Sequence, residues 1–163
     1  MKVSLRVNGK DYLLEEVHPL ESLAEVLRER LALTGTKRGC DTGGCGMCTV
    51  IIDGKPIYSC IMLAWQAQET SIVTVEGLET EKGLDPLQEA FIKNFAFQCG
   101  YCTPAFLMVA KSLLDSNPNP TEQEIREAVS GVLCRCTGYA GYIKSIKEVA
   151  EQKCVKNPED ANT

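Results

Sequence analysis

Gly39-Cys40-Asp41-Thr42-Gly43-Gly44-Cys45-Gly46-Met47-Cys48, followed at a distance by Cys60, is the stretch that decides how the first half of this chain folds. Its spacing, C-x4-C-x2-C…C, is that of a plant-type [2Fe–2S] site. Two irons bridged by sulfides need four thiolates converging from one wrapped loop, with backbone N–H groups turned toward the sulfurs to offset their charge. Glycines at 39, 43, 44 and 46 are expected to permit that wrapping, through positive φ and close approach to the inorganic core. The alternative is a structural zinc site with four cysteine ligands. Zinc sites usually pair two short C-x2-C knuckles, so a single loop giving three ligands fits a cluster better.

Working outward, Val3, Leu5 and Val7 alternate, Asn8-Gly9 is a type I′ hairpin signal, and the chain returns through residues 12–17. Leu20, Leu23, Ala24, Leu27 and Leu31 recur at helical spacing with Gly35 beyond them, which predicts one helix packed on the sheet. After the cysteine loop, residues 49–52 and 57–58 flank Asp53-Gly54 as a second hairpin, and 71–75 reads as a last short strand. Cys60 opens a short apolar piece, 61–65, expected to be helical, with Trp65 in the core rather than acting as an electron relay.

The polar residues 78–84 look like a connection, and beyond them the periodicity is helical throughout. Asp85, Pro86 and Gln88 form the start of a helix expected to reach Phe97. A second helix opens at Thr103-Pro104 and is apolar almost all round, so it must be buried. Asn117-Pro118-Asn119-Pro120 stops it, Thr121 with Glu124 caps a third that ends near Gly131, and a fourth is expected over 139–152. Two cysteine loops join these helices, Gln98-Cys99-Gly100-Tyr101-Cys102 and Cys134-Arg135-Cys136, with 31 residues between them. If both loops meet at one end of a bundle, a second cluster sits there. A C-x-C pair is too tight for an easy disulfide and is expected to place both thiolates on one iron.

With 163 residues, 44% of them hydrophobic, the chain can form one domain or two small ones. A net charge of −5 offers no basic field for nucleic acid, and no stretch approaches the ~20 apolar residues that span a bilayer. The N-terminus lacks the apolar run of a secretory signal, so the expected address is the cytoplasm. There nine cysteines are better read as metal ligands than as disulfides. Cys154 lies in a polar stretch after the last motif and is expected to be dispensable. His18, the lone histidine, reads as a surface or capping residue, and the chain shows no catalytic site of its own.

Taken together, Gly39-Cys40-Asp41, Cys45-Gly46-Met47-Cys48-Thr49-Val50, Gln98-Cys99-Gly100-Tyr101-Cys102-Thr103-Pro104 and Leu133-Cys134-Arg135-Cys136-Thr137-Gly138-Tyr139 resemble the small iron–sulfur subunit of the xanthine dehydrogenase family of molybdenum hydroxylases. The resemblance runs from residue 1 to about 152. It implies an α+β chain: a β-grasp, plant-type ferredoxin-like domain over residues 1–77, a linker at 78–84, an all-α four-helix-bundle [2Fe–2S] domain over 85–153, and a polar tail at 154–163. Cys40, Cys45, Cys48 and Cys60 would hold the first cluster, and Cys99, Cys102, Cys134 and Cys136 the second, the one nearest molybdenum. Gln98 matches a glutamine that hydrogen-bonds the molybdopterin cofactor, the bland reading being an amide that orders its loop. Cys136 would lie close to the pterin.

The resemblance further implies a heterotrimer with a large molybdopterin-binding subunit and a medium FAD-binding subunit, and leaves a dimer of heterotrimers open. Substrates of such assemblies include aldehydes, purines, N-heterocycles, carbon monoxide and aromatic CoA thioesters, and the choice among them is made by the large chain. Met47, Gly44, Ala105, Val132 and Tyr142 depart from the usual pattern without removing a ligand, and Tyr142 is expected to be a partly buried bundle residue. Two rival readings are a free-standing two-cluster ferredoxin and a zinc-stabilised interaction module.

Overall fold

The computed structural model describes residues 1–81 and 83–156, with side chains to residue 152, so the Cys154 thiol lies outside the described residues. The N-terminal half is a mixed five-stranded sheet in the order β2-β1-β5-β3-β4, comprising β1 (Val3–Val7), β2 (Lys10–Leu14), β3 (Thr49–Ile52), β4 (Lys55–Tyr58) and β5 (Ser71–Val73). Asn8 and Gly9 turn the first hairpin at φ 51° and 77°, and Asp53 and Gly54 the second at 47° and 81°. Positive φ at both central residues is what a type I′ turn demands. β5 lies parallel to β1 and antiparallel to β3, which closes the sheet.

All four residues of β3 are buried. Alternation sends Val50 and Ile52 into the sheet's own core, with Val3, Leu5, Val7, Leu23, Leu27 and Ile72, while Ile51 faces the helical half and joins its core. β3 is therefore covered on both faces.

The expected helix over 20–31 is shorter and wound differently. Ser22 and Glu25 form a capping box, α1 spans Leu23–Glu25, and the chain continues as a π-helical turn, Val26–Arg30. Leu20 precedes the cap and is 74% exposed, so it is not part of the apolar stripe. Arg28 then closes the following loop by donating to the carbonyls of Thr34 and Thr36. The apolar piece after Cys60 is two 3-10 turns, Ser59–Ile61 and Ala64–Ala67, rather than one helix. Trp65 is 40% exposed, and its indole N–H donates to the Pro19 carbonyl, which corrects its expected place in the core.

Beyond this, Leu78 is buried, and the backbones of Thr80 and Gly83 bond each other reciprocally. Four helices follow: α2 (Pro86–Lys93), α3 (Thr103–Ser116), α4 (Glu122–Val129) and α5 (Tyr139–Lys156). The capping boxes read at Asp85/Gln88 and Thr121/Glu124 are both formed. α2 stops at Lys93, before Phe97, because Phe95 turns left-handed (φ 47°), Phe95 N–H bonding Ile92 O and Ala96 N–H bonding Phe91 O. α5 continues past residue 152 to Lys156. α3 is the hub, packing on β3, α2, α4 and α5, which explains why nearly every face of it is apolar.

Candidate metal centres

The first cysteine loop wraps as its glycines allow, though not all four contribute in the same way. Gly43 and Gly46 take positive φ (76° and 71°). Gly39 does not, but a Cβ there would lie 2.9 Å from Cys45 Sγ. Gly44 has neither feature, since its Cβ direction is open apart from Thr42 Oγ1 at 3.8 Å, so the expectation for it is corrected.

Cys45 and Cys48 are buried, while Cys40 and Cys60 are half-exposed. Cys40 faces Cys45, and Cys48 faces Cys60. Thr42 N–H points at Cys40 Sγ and Cys60 N–H at Cys48 Sγ, both at 3.4 Å. Hydrogen bonds from the Thr42 side chain and backbone pull the Cys40 thiol down to about 6, whereas burial pushes Cys48 up to about 12. A bare thiolate at Cys48 is costly in that surrounding, and a bound cation removes the cost by supplying the opposite charge.

The two distant loops of the helical half are brought together. Cys99 is exposed, Cys136 half-buried, and Cys102 and Cys134 buried. Cys99 faces Cys136, and Cys102 faces Cys134. The C-x-C pair is thus split between two thiol pairs, contrary to its expected position on one iron. In Cys134-Arg135-Cys136 the exposed Arg135 separates one buried and one outward sulfur, so each finds its partner on the other loop.

Backbone donors again serve the sulfurs. Gly138 N–H lies 3.3 Å from Cys134 Sγ, and the Tyr101 N–H holds the Cys99 thiol below its ordinary value. Burial raises Cys102 to about 11. Gln98 donates its amide N–H to the Cys136 carbonyl at 3.2 Å, joining the loops. Cys134 N–H donates to the Tyr139 hydroxyl at 2.8 Å. Ala105 and Val132 are buried in the helical core, which accommodates both departures from the usual motif. Tyr142 is 1% exposed rather than partly buried, and its hydroxyl lies 3.4 Å from Cys102 Sγ. Burial holds its phenol well above the usual tyrosine range.

Sequence reasoning did not find the seam between the two sites. Leu133 N–H donates to the Cys45 carbonyl at 2.9 Å, Tyr58 O–H to the Gly131 carbonyl at 2.8 Å, and Tyr101 O–H to the Arg38 carbonyl at 2.6 Å. A Cβ on Gly46 would fall 2.1 Å from the Gly131 carbonyl oxygen. No periodicity or spacing signals such a contact, because its partners are some 85 residues apart.

Among the described residues no group of three or more His, Cys, Asp or Glu is drawn together around a single ion. The thiols meet two by two instead, in two sets of two pairs. Each pair can serve one iron of a two-iron centre, and the N–H donors answer the charge on sulfur, so the residues present fit [2Fe–2S] clusters.

Residues 5–83 match the family described as 2Fe-2S iron-sulfur cluster binding domain, and residues 74–147 the [2Fe-2S] binding domain family. Over 150 residues the chain is 44% identical to the nicotinate dehydrogenase small FeS subunit of Eubacterium barkeri, covering 92% of this chain and 95% of that protein. The chain belongs to the small iron–sulfur subunits of the xanthine dehydrogenase family of molybdenum hydroxylases. It superimposes on a chain of quinoline 2-oxidoreductase from Pseudomonas putida 86 with a TM-score of 0.89 and 46% identity, covering 98% of each. For the aldehyde oxidoreductase of Desulfovibrio desulfuricans ATCC 27774 the TM-score is 0.87 and the identity 40%, covering 97% of this chain but 17% of that one. The same unit thus occurs both as a separate chain and inside a much longer polypeptide. As a family member this iron–sulfur subunit is an electron-transfer component of an oxidoreductase with larger partners.

Proposed function

We propose that the subunit conducts electrons from a molybdopterin centre in a large partner, through the Cys99/Cys102/Cys134/Cys136 site and then the Cys40/Cys45/Cys48/Cys60 site, to FAD in a medium partner. When bound, each [2Fe–2S] cluster supplies a one-electron carrier. The observation that carries the reading is the hydrogen bond from Leu133 N–H to the Cys45 carbonyl at 2.9 Å, which joins a residue adjoining Cys134 of one site to a ligand of the other. Cys45 and Cys134 are both buried, so the thiols nearest this bond lie inside the protein.

The outer edge of the second site supports its contact with a partner. Cys99 and Gln98 are exposed there, together with Phe97, Tyr101 and Leu133. Apolar side chains bordering a redox site suit a covered interface better than a freely diffusing ferredoxin. We assign Gln98 to the pterin contact: its amide N–H already orders Cys136, which places the residue at the rim of the site. We further take the division as 1–77, 78–84 and a four-helix bundle over 85–153. A cytoplasmic location suits the cysteine-rich composition, and no helix among the described residues is long and apolar enough to cross a membrane.

Metal and sulfide analysis tests the ligand sets. The assembled protein should hold about four irons and four acid-labile sulfides per chain, two of each for every set of four cysteines. Zinc in place of either pair of irons would overturn the assignment. In the same complex Gln98→Ala should keep both clusters yet slow their reduction by substrate, and an unchanged rate would leave Gln98 with loop ordering alone.

A further inference from the structure

Tyr142 sits on α5, 40 residues from the cysteine it touches, and its position is rigidly set. Its ring stacks on Phe106 with centroids 4.0 Å apart and planes 11° from parallel, and it meets Phe91 at 5.2 Å and 49°. The hydroxyl is left between two groups, Cys102 Sγ at 3.4 Å and Thr103 Oγ1 at 3.1 Å. A buried hydroxyl needs hydrogen-bond partners, and these two neighbours supply them.

We propose that Tyr142 donates a hydrogen bond to the Cys102 sulfur and thereby raises the reduction potential of the cluster in the helical half. This rests on the cluster assignment given above. A thiolate bound to iron carries no proton and can only accept, so the proton shared between Tyr142 and Cys102 belongs to the tyrosine. Thr103 completes the chain by donating to the tyrosine oxygen, an order that polarises the Tyr142 O–H further toward sulfur. Adding an electron increases the negative charge on the cluster sulfurs, and a donor aimed at one of them stabilises the reduced form more than the oxidised form. Low local dielectric strengthens that difference. The effect is confined to one cluster, because the residues packed on the ring, Phe91 and Phe106, belong to the helical half. Tyr142 is thus a tuning residue that makes the helical cluster a readier acceptor, and it neither binds iron nor touches substrate.

The test is a redox titration of the full chain carrying both clusters, followed by electron paramagnetic resonance so that the two signals are read separately. Tyr142→Phe keeps the stacked ring and removes only the hydroxyl. The midpoint of the helical cluster should move to a more negative value while that of the sheet-domain cluster stays in place, with iron content unchanged. An unmoved helical midpoint, or an equal shift of both clusters, overturns the proposal. Should the variant lose its iron, 3-fluorotyrosine placed at 142 keeps the fold and makes the hydroxyl a stronger donor. That substitution should move the helical midpoint to a more positive value, and a null or negative shift refutes the tuning role. Absence of a second [2Fe–2S] signal in the unsubstituted protein is a separate result, one that overturns the cluster assignment itself.

Discussion

The two cysteine sites reach similar ends by different routes. In the sheet half, three cysteines lie within nine consecutive residues and a fourth follows the next hairpin, so the chain's local path nearly builds the site. In the helical half, two loops with 31 residues between them are brought together by α3, α4 and α5, and a side chain from α5 reaches the Cys102 sulfur. The first site depends on backbone conformation and the second on packing. They are nonetheless joined, through Cys45 and Leu133, Tyr58 and Gly131, and Arg38 and Tyr101.

The sharpest test of the difference is to break each site in turn within the assembled enzyme. Cys48→Ser should leave substrate able to reduce the helical cluster while flavin reduction stalls, because the break lies beyond the first acceptor. Cys136→Ser should stop substrate from reducing either the remaining cluster or the flavin. Rapid-mixing spectra decide the matter, after the surviving cluster of each variant has been confirmed, since cluster binding and folding are coupled. The opposite pattern would reverse the order of the two sites.

A smaller effect is expected at the seam. Gly46 combines positive φ with a Cβ direction blocked 2.1 Å away by the Gly131 carbonyl, so Ala cannot be placed without moving one loop off the other. Gly46→Ala should cost about 2–4 kcal/mol in denaturant unfolding and weaken the magnetic interaction between the reduced clusters. Gly44→Ala, whose Cβ meets only open space and Thr42 at 3.8 Å, should stay within about 0.5 kcal/mol of the parent. Equal losses at the two positions would remove the seam from the account.

The smallest effect has the opposite sign. Phe95 is 88% exposed and holds φ 47°, between Asn94, tied to Glu148, and Ala96, packed on Gly141. Its neighbours impose a left-handed turn that glycine adopts without strain. Phe95→Gly should therefore stabilise the subunit by about 1 kcal/mol, read as a higher unfolding midpoint with both clusters retained. A loss of stability would show that the aromatic ring packs within the chain.

Much of the fold was legible because it is local. Asn8-Gly9 and Asp53-Gly54 specify their hairpins through positive φ, and Asp85/Gln88 and Thr121/Glu124 specify helix starts through reciprocal bonds within four residues. The misreadings fall where tertiary contacts overrode a pattern. Leu20 fits helical spacing yet lies outside the Ser22 cap, and Trp65 finds its partner in the Pro19 carbonyl instead of a core. Phe95 ends α2 early although nothing in its side chain favours a left-handed turn.

By itself the sequence determined which cysteines are available, how they divide into two sets of four, and where the elements carrying them begin, because spacing, caps and turns act over a few residues. Only the tertiary structure decided which thiol faces which, that Cys134 and Cys136 take partners on a distant loop, that Tyr142 reaches Cys102, and that Leu133 meets Cys45. These contacts join positions remote along the chain, and the burial of apolar side chains that brings them together is non-directional: it fixes partners through the shape of the whole core rather than through any motif.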